Sequence, residues 1–247
     1  MGNTDHDWEY WGRTDPYFGV LSEKRFGKEA IDAHYEEFFA TGRHQIDHRL
    51  GHLEARLGPI HRDRALDFGC GVGRVSEALA ARFNSVVGLD VSPAMLQNAS
   101  ANALAHGVHN ATYTLSDDHL SRAEGSFDFI HSYIVLQHIA PDRGIAILSR
   151  LLALAAPNAV VSLHVCIGGD LSPWQAVILW CRHNLPVVRG LANLRRGWAW
   201  NRPAIRMHIY PLLDVMAAFS RAGIDNVVVD LERHGTYLTA HVAGRMA

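Results

Sequence analysis

The stretch Arg64–Phe83, RALDFGCGVGRVSEALAARF, constrains the fold more than any other part of the chain. A short apolar run, RALDF, leads into a turn that carries Gly69, Gly71 and Gly73, and a helix-like segment, Val75–Phe83, follows. A glycine-rich turn after a buried strand lets the backbone approach a ligand closely, and the N-terminus of the next helix faces that ligand. The pattern predicts a strand–turn–helix unit at a cofactor site.

Strands and helices alternate from this unit to about residue 166. The predicted strands are RALDF, SVVGLD, ATYTL, FDFIHSY and AVVSLHVC. Between them, Ser92 caps a helix with Pro93 in its first turn, and PDRGIAILSRLLALAAP forms another helix. This alternation predicts an α/β fold with a doubly wound parallel sheet. Two final strands, IDNVVVDLE and GTYLTAHVA, are separated by His234-Gly235 and predict a terminal hairpin.

Two further segments flank or interrupt this pattern. Residues 1–60 have apolar side chains at helical spacing and predict a helical N-terminal cap on a main domain of residues 61–247. Residues 168–207 predict an inserted lid. This segment contains four tryptophans and six arginines but only one acidic residue, Asp170. The arginines are explained by a solvated face, by recognition of an anionic acceptor, or by contact with a membrane surface or a lipid-linked acceptor. The second alternative is the favoured functional one.

Bulk composition excludes several classes of protein. The 247 residues carry a formal net charge of −2, which gives no sign of a nucleic-acid partner. Three cysteines without a CxxC pattern predict neither a disulfide framework nor a zinc site. The polar N-terminus does not resemble a secretory signal, and no apolar run is long enough to predict a transmembrane segment. These observations favour a cytoplasmic protein, whereas the oligomeric state stays open.

The spacing of the glycines bears on the cofactor class. A dinucleotide site typically has GxGxxG, but here the glycines run GxGxG and Arg74 takes the third dinucleotide position. Asp67, at the end of the first strand, would repel a pyrophosphate and attract an amino group. Asp90 ends the second strand, and its carboxylate can accept hydrogen bonds from both ribose hydroxyls.

These motifs, taken in order, resemble the class I S-adenosylmethionine-dependent methyltransferases. The resemblance is carried by LDFGCGVGR, VVGLDVSPAML, LSDDHL and SFDFIHSYIVLQHI, and by the terminal hairpin. It covers residues 60–166 well and residues 208–247 moderately. It implies a Rossmann-like, seven-stranded, doubly wound sheet with a reversed last strand. It also implies S-adenosylmethionine as the cofactor.

The resemblance also implies roles for particular residues. Gly69, Cys70 and Gly71 belong to the turn that faces the methionine part of the cofactor, and Asp67 lies near its amino group. Asp90 holds the ribose. Val91 and Met95 are expected to flank the adenine, and Asp117 is expected to accept a hydrogen bond from its amino group, with the backbone of Asp118 nearby. Arg43 and Tyr17 are expected on the side of the cofactor's methionine carboxylate. The pair Asp117-Asp118 leaves open which carboxylate accepts the adenine amino group.

The acceptor is expected beyond the carboxyl ends of the fourth and fifth strands. The candidate catalytic residues there are His138, His164, His208 and Tyr133. His138 is the first choice as a general base because its unperturbed pKa lies near neutrality, with a bracing role for the loop as the alternative. His44, His48 and His52 share one helix face that could hold a divalent metal, but chance alignment among the 16 histidines is the favoured explanation. The sequence therefore assigns no metal ligands.

The activity that follows is methyl transfer to a small molecule. Because the NPPY motif of N-methylation is replaced by HSYI, the favoured reaction is O-methylation of a hydroxyl on a carbohydrate, an anionic glycan or a natural-product acceptor. Two alternatives belong to other classes of protein. One is a nicotinamide-dependent oxidoreductase, and the other is a non-catalytic protein that binds the cofactor only to assist a partner.

Overall fold

The computed structural model describes residues 3–247, so the first two residues of the predicted N-terminal cap lie outside it. The helices are α1 (Asn3–Thr14), α2 (Pro16–Val20), α3 (Ile31–Leu57), α4 (Arg74–Ala80), α5 (Pro93–Ala105), α6 (Pro141–Ala153), α7 (Pro173–Asn184), α8 (Pro186–Leu194) and α9 (Leu212–Arg221). The strands are β1 (Arg64–Phe68), β2 (Ser85–Asp90), β3 (Ala111–Leu115), β4 (Phe127–Ser132), β5 (Ala155–Gly169), β6 (Val227–His234) and β7 (Tyr237–Arg245).

The strands form one seven-stranded sheet in the order β3-β2-β1-β4-β5-β7-β6. Strands β1 to β5 pair in parallel, and β7 runs antiparallel to both of its neighbours. The predicted doubly wound sheet with a reversed last strand is therefore confirmed. Parallel pairing brings the carboxyl ends of β1, β2 and β4 to one edge of the sheet, where the loops that carry the predicted site residues begin.

Several element boundaries differ from the sequence-based expectation. The helix after the glycine turn begins at Arg74, one residue early, because Gly73 already takes a left-handed conformation with φ of 89° as its N-cap. Strand β5 continues to Gly169, beyond the predicted end at Cys166, because β7 pairs with it as far as Gly169–Tyr237 across a register shift. Ser92 caps α5 as expected, since its Oγ accepts a hydrogen bond from the Met95 amide at 3.1 Å.

Helix α3 connects the N-terminal segment to the sheet. Its 27 residues give it a length of about 40 Å. Phe38 and Phe39 in its first half are buried among aromatic side chains of the N-terminal segment. Ile46 and Leu50 in its second half pack with residues of α4 and with one face of the sheet. The opposite face is covered by α6 and α9.

The inserted segment folds largely as α7 and α8. Helix α7 begins with a capping box between Ser172 and Gln175. Both helices expose large apolar side chains, among them Trp174, which is 78% exposed, and Trp180, which is 59% exposed. Within residues 3–247, no helix combines the length and hydropathy that crossing a membrane requires.

Candidate functional site

The glycine turn after β1 forms the floor of a cavity. Gly69 and Gly71 have positive φ values of 76° and 54°. A Cβ on Gly69 would lie 2.3 Å from Val135 Cγ2, and one on Gly71 would lie 2.7 Å from Val20 Cγ2. Left-handed backbone and lack of space together require glycine at both positions. Gly73 serves packing instead, because a Cβ there would meet the Tyr113 hydroxyl at 2.8 Å.

The carboxylate of Asp90 is fixed by backbone donors beside this turn. Its Oδ2 accepts from the Gly71 amide and its Oδ1 from the Ser92 amide, each at 2.9 Å. Burial raises the pKa of Asp90 to about 6, although the amide donors oppose this shift. Each carboxylate oxygen keeps a lone pair for a further donor. Asp90 can thus accept two neighbouring hydroxyls, as a ribose presents them.

The first cavity lies beside the glycine turn and opens to solvent. It brings together eight of the predicted site residues, which are Gly69, Gly71, Asp90, Val91, Met95, Asp117, Asp118 and Tyr133. These residues come from the ends of β1, β2 and β4, from the start of α5 and from the loop after β3. The left-handed glycines leave room for the methionine part of S-adenosylmethionine beside the turn. The neighbouring carboxylate of Asp90 can accept hydrogen bonds from the two hydroxyls of its ribose.

Two predicted residues lie behind the cavity wall. Asp67 is buried and its Oδ2 accepts from Ser76 Oγ at 2.6 Å, while burial raises its pKa to about 6. The Cys70 thiol packs toward Gly88, and burial raises its pKa well above the usual value. Neither side chain lines the cavity. Strand alternation explains the placement of Asp67, because its neighbour Phe68 points to the other face of the sheet and lines the cavity.

Tyr17 and Arg43 are also placed away from the first cavity. The Tyr17 hydroxyl donates to Asn102 Oδ1 at 2.9 Å, and its ring packs edge-on against Phe38. Arg43 is exposed on α3. The segment that does approach the cofactor side is shifted relative to this prediction: Gly19 and Val20, just after Tyr17, line the cavity instead.

The two neighbouring acids on the β3 loop have different partners. Asp117 accepts hydrogen bonds from the amides of His119 and Ser121 and from the Ser121 hydroxyl, and this bonding lowers its pKa. Asp118 forms an ion pair with Arg143, with 2.6 Å between its Oδ1 and Nη2. Arg143 also binds Asp5 of α1. Asp117 therefore keeps an uncompensated negative charge at the cavity wall.

A second cavity, of about 720 Å³ to its mouth, adjoins the first. Gly19, Val20 and Ile134 line both cavities. Ile134 has φ of 58°, which is rare for a β-branched residue and marks a strained turn after β4. The other residues of this second cavity are Leu21, Ser22, Gln137, His138, His164, Ile205, Met207, His234, Tyr237 and Thr239.

His138 is held by the chain that follows the lid. Its Nδ1 donates to the Arg206 carbonyl oxygen at 2.6 Å, and its ring packs edge-on against Trp8. Because a carbonyl only accepts, Nδ1 carries the proton and Nε2 is unprotonated. Burial lowers the pKa of His138 to about 4, so the ring is neutral at physiological pH.

The other three candidate catalytic residues have separate surroundings. Burial lowers the pKa of His164 to about 2, and the ring packs against Tyr133 at 4.9 Å between centroids. Burial raises the pKa of Tyr133, which is therefore a neutral hydrogen-bond donor. His208 lines neither of the two cavities, and its amide donates to the Gln137 carbonyl. The structure thus brings His138 and His164 to the second cavity and Tyr133 to the first.

Sequence reasoning missed part of the first cavity. The unpredicted lining residues include Thr4, Asp5, Trp8, Val135 and Arg143. The sequence DWEYWGRTDPYFGVL is rich in aromatic residues, but no periodicity in it indicates which side chains point inward. Trp11 and Phe18 of the same segment stack on each other and hold Arg202 of the lid, whose Cζ lies 4.5 and 4.9 Å from their ring centroids.

Comparison with known proteins places this geometry in a family. A family model described as a methyltransferase domain matches residues 65–158, which contain the glycine turn and Asp90. The ubiquinone biosynthesis O-methyltransferase of Cronobacter sakazakii is 25% identical over 174 residues, covering 66% of this chain and 70% of that protein. The trans-aconitate 2-methyltransferase of Methylobacterium radiotolerans is 37% identical over 116 residues, covering 46% of this chain and 42% of that protein.

Solved structures extend the comparison to the whole chain. The magnesium protoporphyrin IX methyltransferase of Synechocystis PCC 6803 with bound S-adenosylhomocysteine superposes with a TM-score of 0.65 at 17% identity, covering 100% of both chains. The same enzyme with bound S-adenosylmethionine gives a TM-score of 0.64. At this identity the likeness concerns the fold. Residues 65–158, which include the glycine turn, thus match a methyltransferase domain, and the whole chain has the fold of the S-adenosylmethionine-dependent methyltransferases.

Proposed function

We propose that the protein transfers the methyl group of S-adenosylmethionine to a hydroxyl oxygen of a small carbohydrate or natural-product acceptor. The acceptor oxygen attacks the methyl carbon opposite the sulfonium sulfur, so the two molecules have to meet end-on. The hydroxyl gives up its proton, and S-adenosylhomocysteine is the second product. The resemblance to ubiquinone biosynthesis O-methyltransferases supports oxygen as the accepting atom.

The cofactor contacts follow from the first cavity. The backbone of Gly69 and Gly71 faces the methionine part, and Asp90 accepts the ribose hydroxyls. Val91 and Met95 lie against the adenine. We assign the adenine amino group to Asp117, because Arg143 already compensates the charge of Asp118.

The observation that supports the proposal most strongly is that the two cavities adjoin and share lining residues. Gly19, Val20 and Ile134 line both of them, so an acceptor in the second cavity borders the methyl donor in the first. Gly19 has little free space, since a Cβ there would lie 3.1 Å from Trp11 Cβ and 3.2 Å from Met95 Cε. In-line transfer requires direct contact between the acceptor oxygen and the methyl carbon, so the two ligands would meet where the two cavities adjoin, at Gly19, Val20 and Ile134.

The lining of the second cavity favours a neutral, hydroxylated acceptor. Neutral donors and acceptors alternate there with apolar surface, from Gln137, Thr239 and Tyr237 to Val20 and Met207. No arginine lines this cavity among residues 3–247, although the sequence favoured an anionic acceptor bound by the arginines of the lid. A sugar ring presents hydroxyls for the polar groups and C–H faces for the apolar ones, and it therefore matches this lining.

Two of the three histidines that line the second cavity, His138 and His164, are assigned to holding the acceptor. A general base works best with a pKa near the operating pH, and burial lowers the pKa of His138 to about 4 and of His164 to about 2. Both imidazoles are therefore weak bases at neutral pH. In the neutral form His138 offers Nε2 as an acceptor, because its Nδ1–H is bound to the Arg206 carbonyl, whereas His164 offers one acceptor and one donor to a hydroxylated ligand.

The test measures release of S-adenosylhomocysteine with panels of sugar, phenolic and carboxylic acceptors of similar size. We expect turnover with hydroxylated acceptors and a higher KM in the isosteric variant Thr239→Val, which removes one hydroxyl from the second cavity. The matched control is Thr112→Val on β3, far from this cavity, which should leave KM unchanged.

Turnover confined to carboxylic acceptors would contradict the hydroxyl assignment. Turnover with a sugar but with the same KM in Thr239→Val would contradict the assignment of the second cavity. Binding of S-adenosylmethionine without turnover on any panel would instead favour a non-catalytic protein that assists a partner.

A further inference from the structure

A cluster of potential metal ligands lies at the far side of the second cavity, where β5, β7 and β6 adjoin. His164, Glu232 and His234 each offer one ligand atom, and these atoms lie within 4.8 Å of one another. His164 and His234 also line the second cavity. We propose that this His–Glu cluster (His164, Glu232 and His234) binds a zinc ion whose remaining coordination position faces the acceptor.

Strand register accounts for the cluster. His164 on β5 pairs with His241 on β7, while Glu232 on β6 pairs with Thr239 on β7. Side chains two residues apart share a face of a sheet, so His234 lies on the same face as Glu232. The cluster is thus held on β5 and β6, which flank β7, rather than on a loop, and this fixes the spacing of its ligand atoms.

His164 supplies the observation that points to a ligand. Its side chain is 1% exposed, and neither ring nitrogen has a hydrogen-bond partner among the described residues. Buried polar atoms are normally satisfied, so an imidazole left without partners beside a cavity requires an explanation. A metal ion bound to one of these nitrogens would supply that explanation.

The spacing and orientation of the other two ligands suit zinc. Nε2 of His234 lies 3.6 Å from Oε1 of Glu232. Two ligand atoms bound to zinc at tetrahedral angles lie about 3.3 Å apart. Thr239 Oγ1 lies 3.5 Å from Nδ1 of His234, and His241 Nε2 lies 3.3 Å from Glu232 Oε2. Such neighbours orient metal ligands in known sites.

Two imidazoles and one carboxylate leave a fourth position open, as in catalytic zinc sites. Glu232 and His234 are exposed, which gives the ion a path of entry from solvent. The alternative face on α3 is less suitable, because His52 already lies 3.0 Å from Asp230 and its ring stacks on His48.

The role of the ion toward the acceptor rests on the proposed function. Zinc-bound oxygen is more acidic than a free hydroxyl. The acceptor hydroxyl would release its proton to solvent, and the oxygen would use the freed electron pair to attack the methyl carbon. This supplies the activation that the weakly basic imidazoles of the second cavity do not provide.

The experiment measures zinc binding directly, without cofactor or acceptor. Untagged protein is stripped with a chelator and titrated with Zn²⁺ against a chromophoric competitor, and bound zinc is counted by mass spectrometry. We expect one zinc per chain, and at least tenfold weaker binding in Glu232→Gln and in His234→Asn. Both substitutions are at exposed positions and should leave the fold intact, as circular dichroism and the Kd for S-adenosylmethionine can verify. His48→Asn is the matched control and should bind zinc as the wild type does.

Three results would overturn the zinc site: no stoichiometric binding, unchanged affinity in Glu232→Gln and His234→Asn, or loss of affinity in His48→Asn alone. Failure of the proposed function has a different signature. Zinc would then bind with the expected pattern of variants, but no acceptor panel would show turnover.

Discussion

The cofactor end, formed by the glycine turn and Asp90 in the first cavity, and the acceptor side, formed by the second cavity, are built in different ways. At the cofactor end, the amides of Gly69 and Cys70 donate to the Leu89 carbonyl, and Gly71 donates to Asp90, about 20 residues along the chain. On the acceptor side, His138 is held by Arg206, 68 residues away. The carbonyl of Gln137, another residue of the second cavity, accepts from the amide of His208.

This difference predicts two kinds of response to substitution. Backbone amides and left-handed glycines fix the cofactor end, so a change there removes an arrangement that nothing else in the chain replaces. Side chains from distant segments assemble the acceptor side, where several contacts share the positioning. We therefore expect large losses at the cofactor end and graded ones on the acceptor side.

The largest expected effect is that of Asp90→Ala. Loss of both ribose acceptors should weaken S-adenosylmethionine binding at least about 100-fold, equivalent to about 2.7 kcal/mol, as measured by calorimetry. The control Asp63→Ala lies on the opposite edge of the sheet, before β1, and should bind normally. Cofactor binding by Asp90→Ala at wild-type affinity would remove Asp90 from the site.

The same carboxylate should make cofactor affinity depend on pH. Burial raises the pKa of Asp90 to about 6, and only its ionised form accepts both hydroxyls. The affinity should therefore be constant above this pKa and fall by about tenfold per pH unit below it. Asp67 has a pKa raised to about 6 as well, but it lies behind the cavity wall. The slope should thus disappear in Asp90→Asn; its persistence would assign it to Asp67.

A somewhat smaller effect is expected for Gly69→Ala. The new Cβ would lie 2.3 Å from Val135 Cγ2 at a left-handed position, so both the turn and the loop after β4 have to move. We expect at least tenfold weaker cofactor binding and a loss of about 2–3 kcal/mol in the free energy of unfolding. Gly107→Ala is the matched control, because its φ of 67° is similar but no atom lies within 4 Å of the new Cβ.

Gly107→Ala should lose about 1 kcal/mol in the free energy of unfolding, from the strain of a left-handed backbone alone, and should keep its cofactor affinity. Val135→Ala in the Gly69→Ala background should restore part of the binding. If the two glycine variants bind the cofactor equally well, close approach at Gly69 is not what the site requires.

On the acceptor side, His138 distinguishes positioning from proton transfer. The side-chain amide introduced by His138→Asn can still donate from the δ position to the Arg206 carbonyl, whereas the methyl group introduced by His138→Ala cannot. For a positioning role, we expect kcat about tenfold lower in His138→Ala and within about threefold of wild type in His138→Asn, with the cofactor Kd unchanged in both. A loss of about 100-fold or more in both variants would instead identify His138 as the general base.

The same contrast explains what the sequence could predict. The glycine turn, Asp90 and the cap at Ser92 are local patterns whose spacing determines their geometry, and the doubly wound parallel sheet followed from the alternation of strands and helices. Tyr17 and Arg43 were expected at the cofactor, but Gly19 and Val20 are there, because the path of a loop over a sheet depends on distant packing. Ile134 gave no signal, since its left-handed backbone opposes the preference of a β-branched residue.

The smallest expected effect concerns the lid. Arg202 lies over the rings of Trp11, Phe18 and Trp198 at 4.3–4.9 Å, and 3.9 Å from a carboxylate oxygen of Asp15. Arg202→Met keeps much of the apolar contact but removes the charge, which should cost about 1 kcal/mol in the free energy of unfolding.

Because Arg202 fastens the end of the lid to the N-terminal segment, its loss should also raise the KM for the acceptor a few-fold while the cofactor Kd stays constant. Arg195→Met, at an exposed position of the same lid, is the control and should change neither constant. Equal effects of the two substitutions on KM would mean that the net charge of the lid determines the KM for the acceptor. A specific effect of Arg202→Met would mean that the aromatic contacts fix the lid, and the acceptor side would then depend on a single long-range anchor.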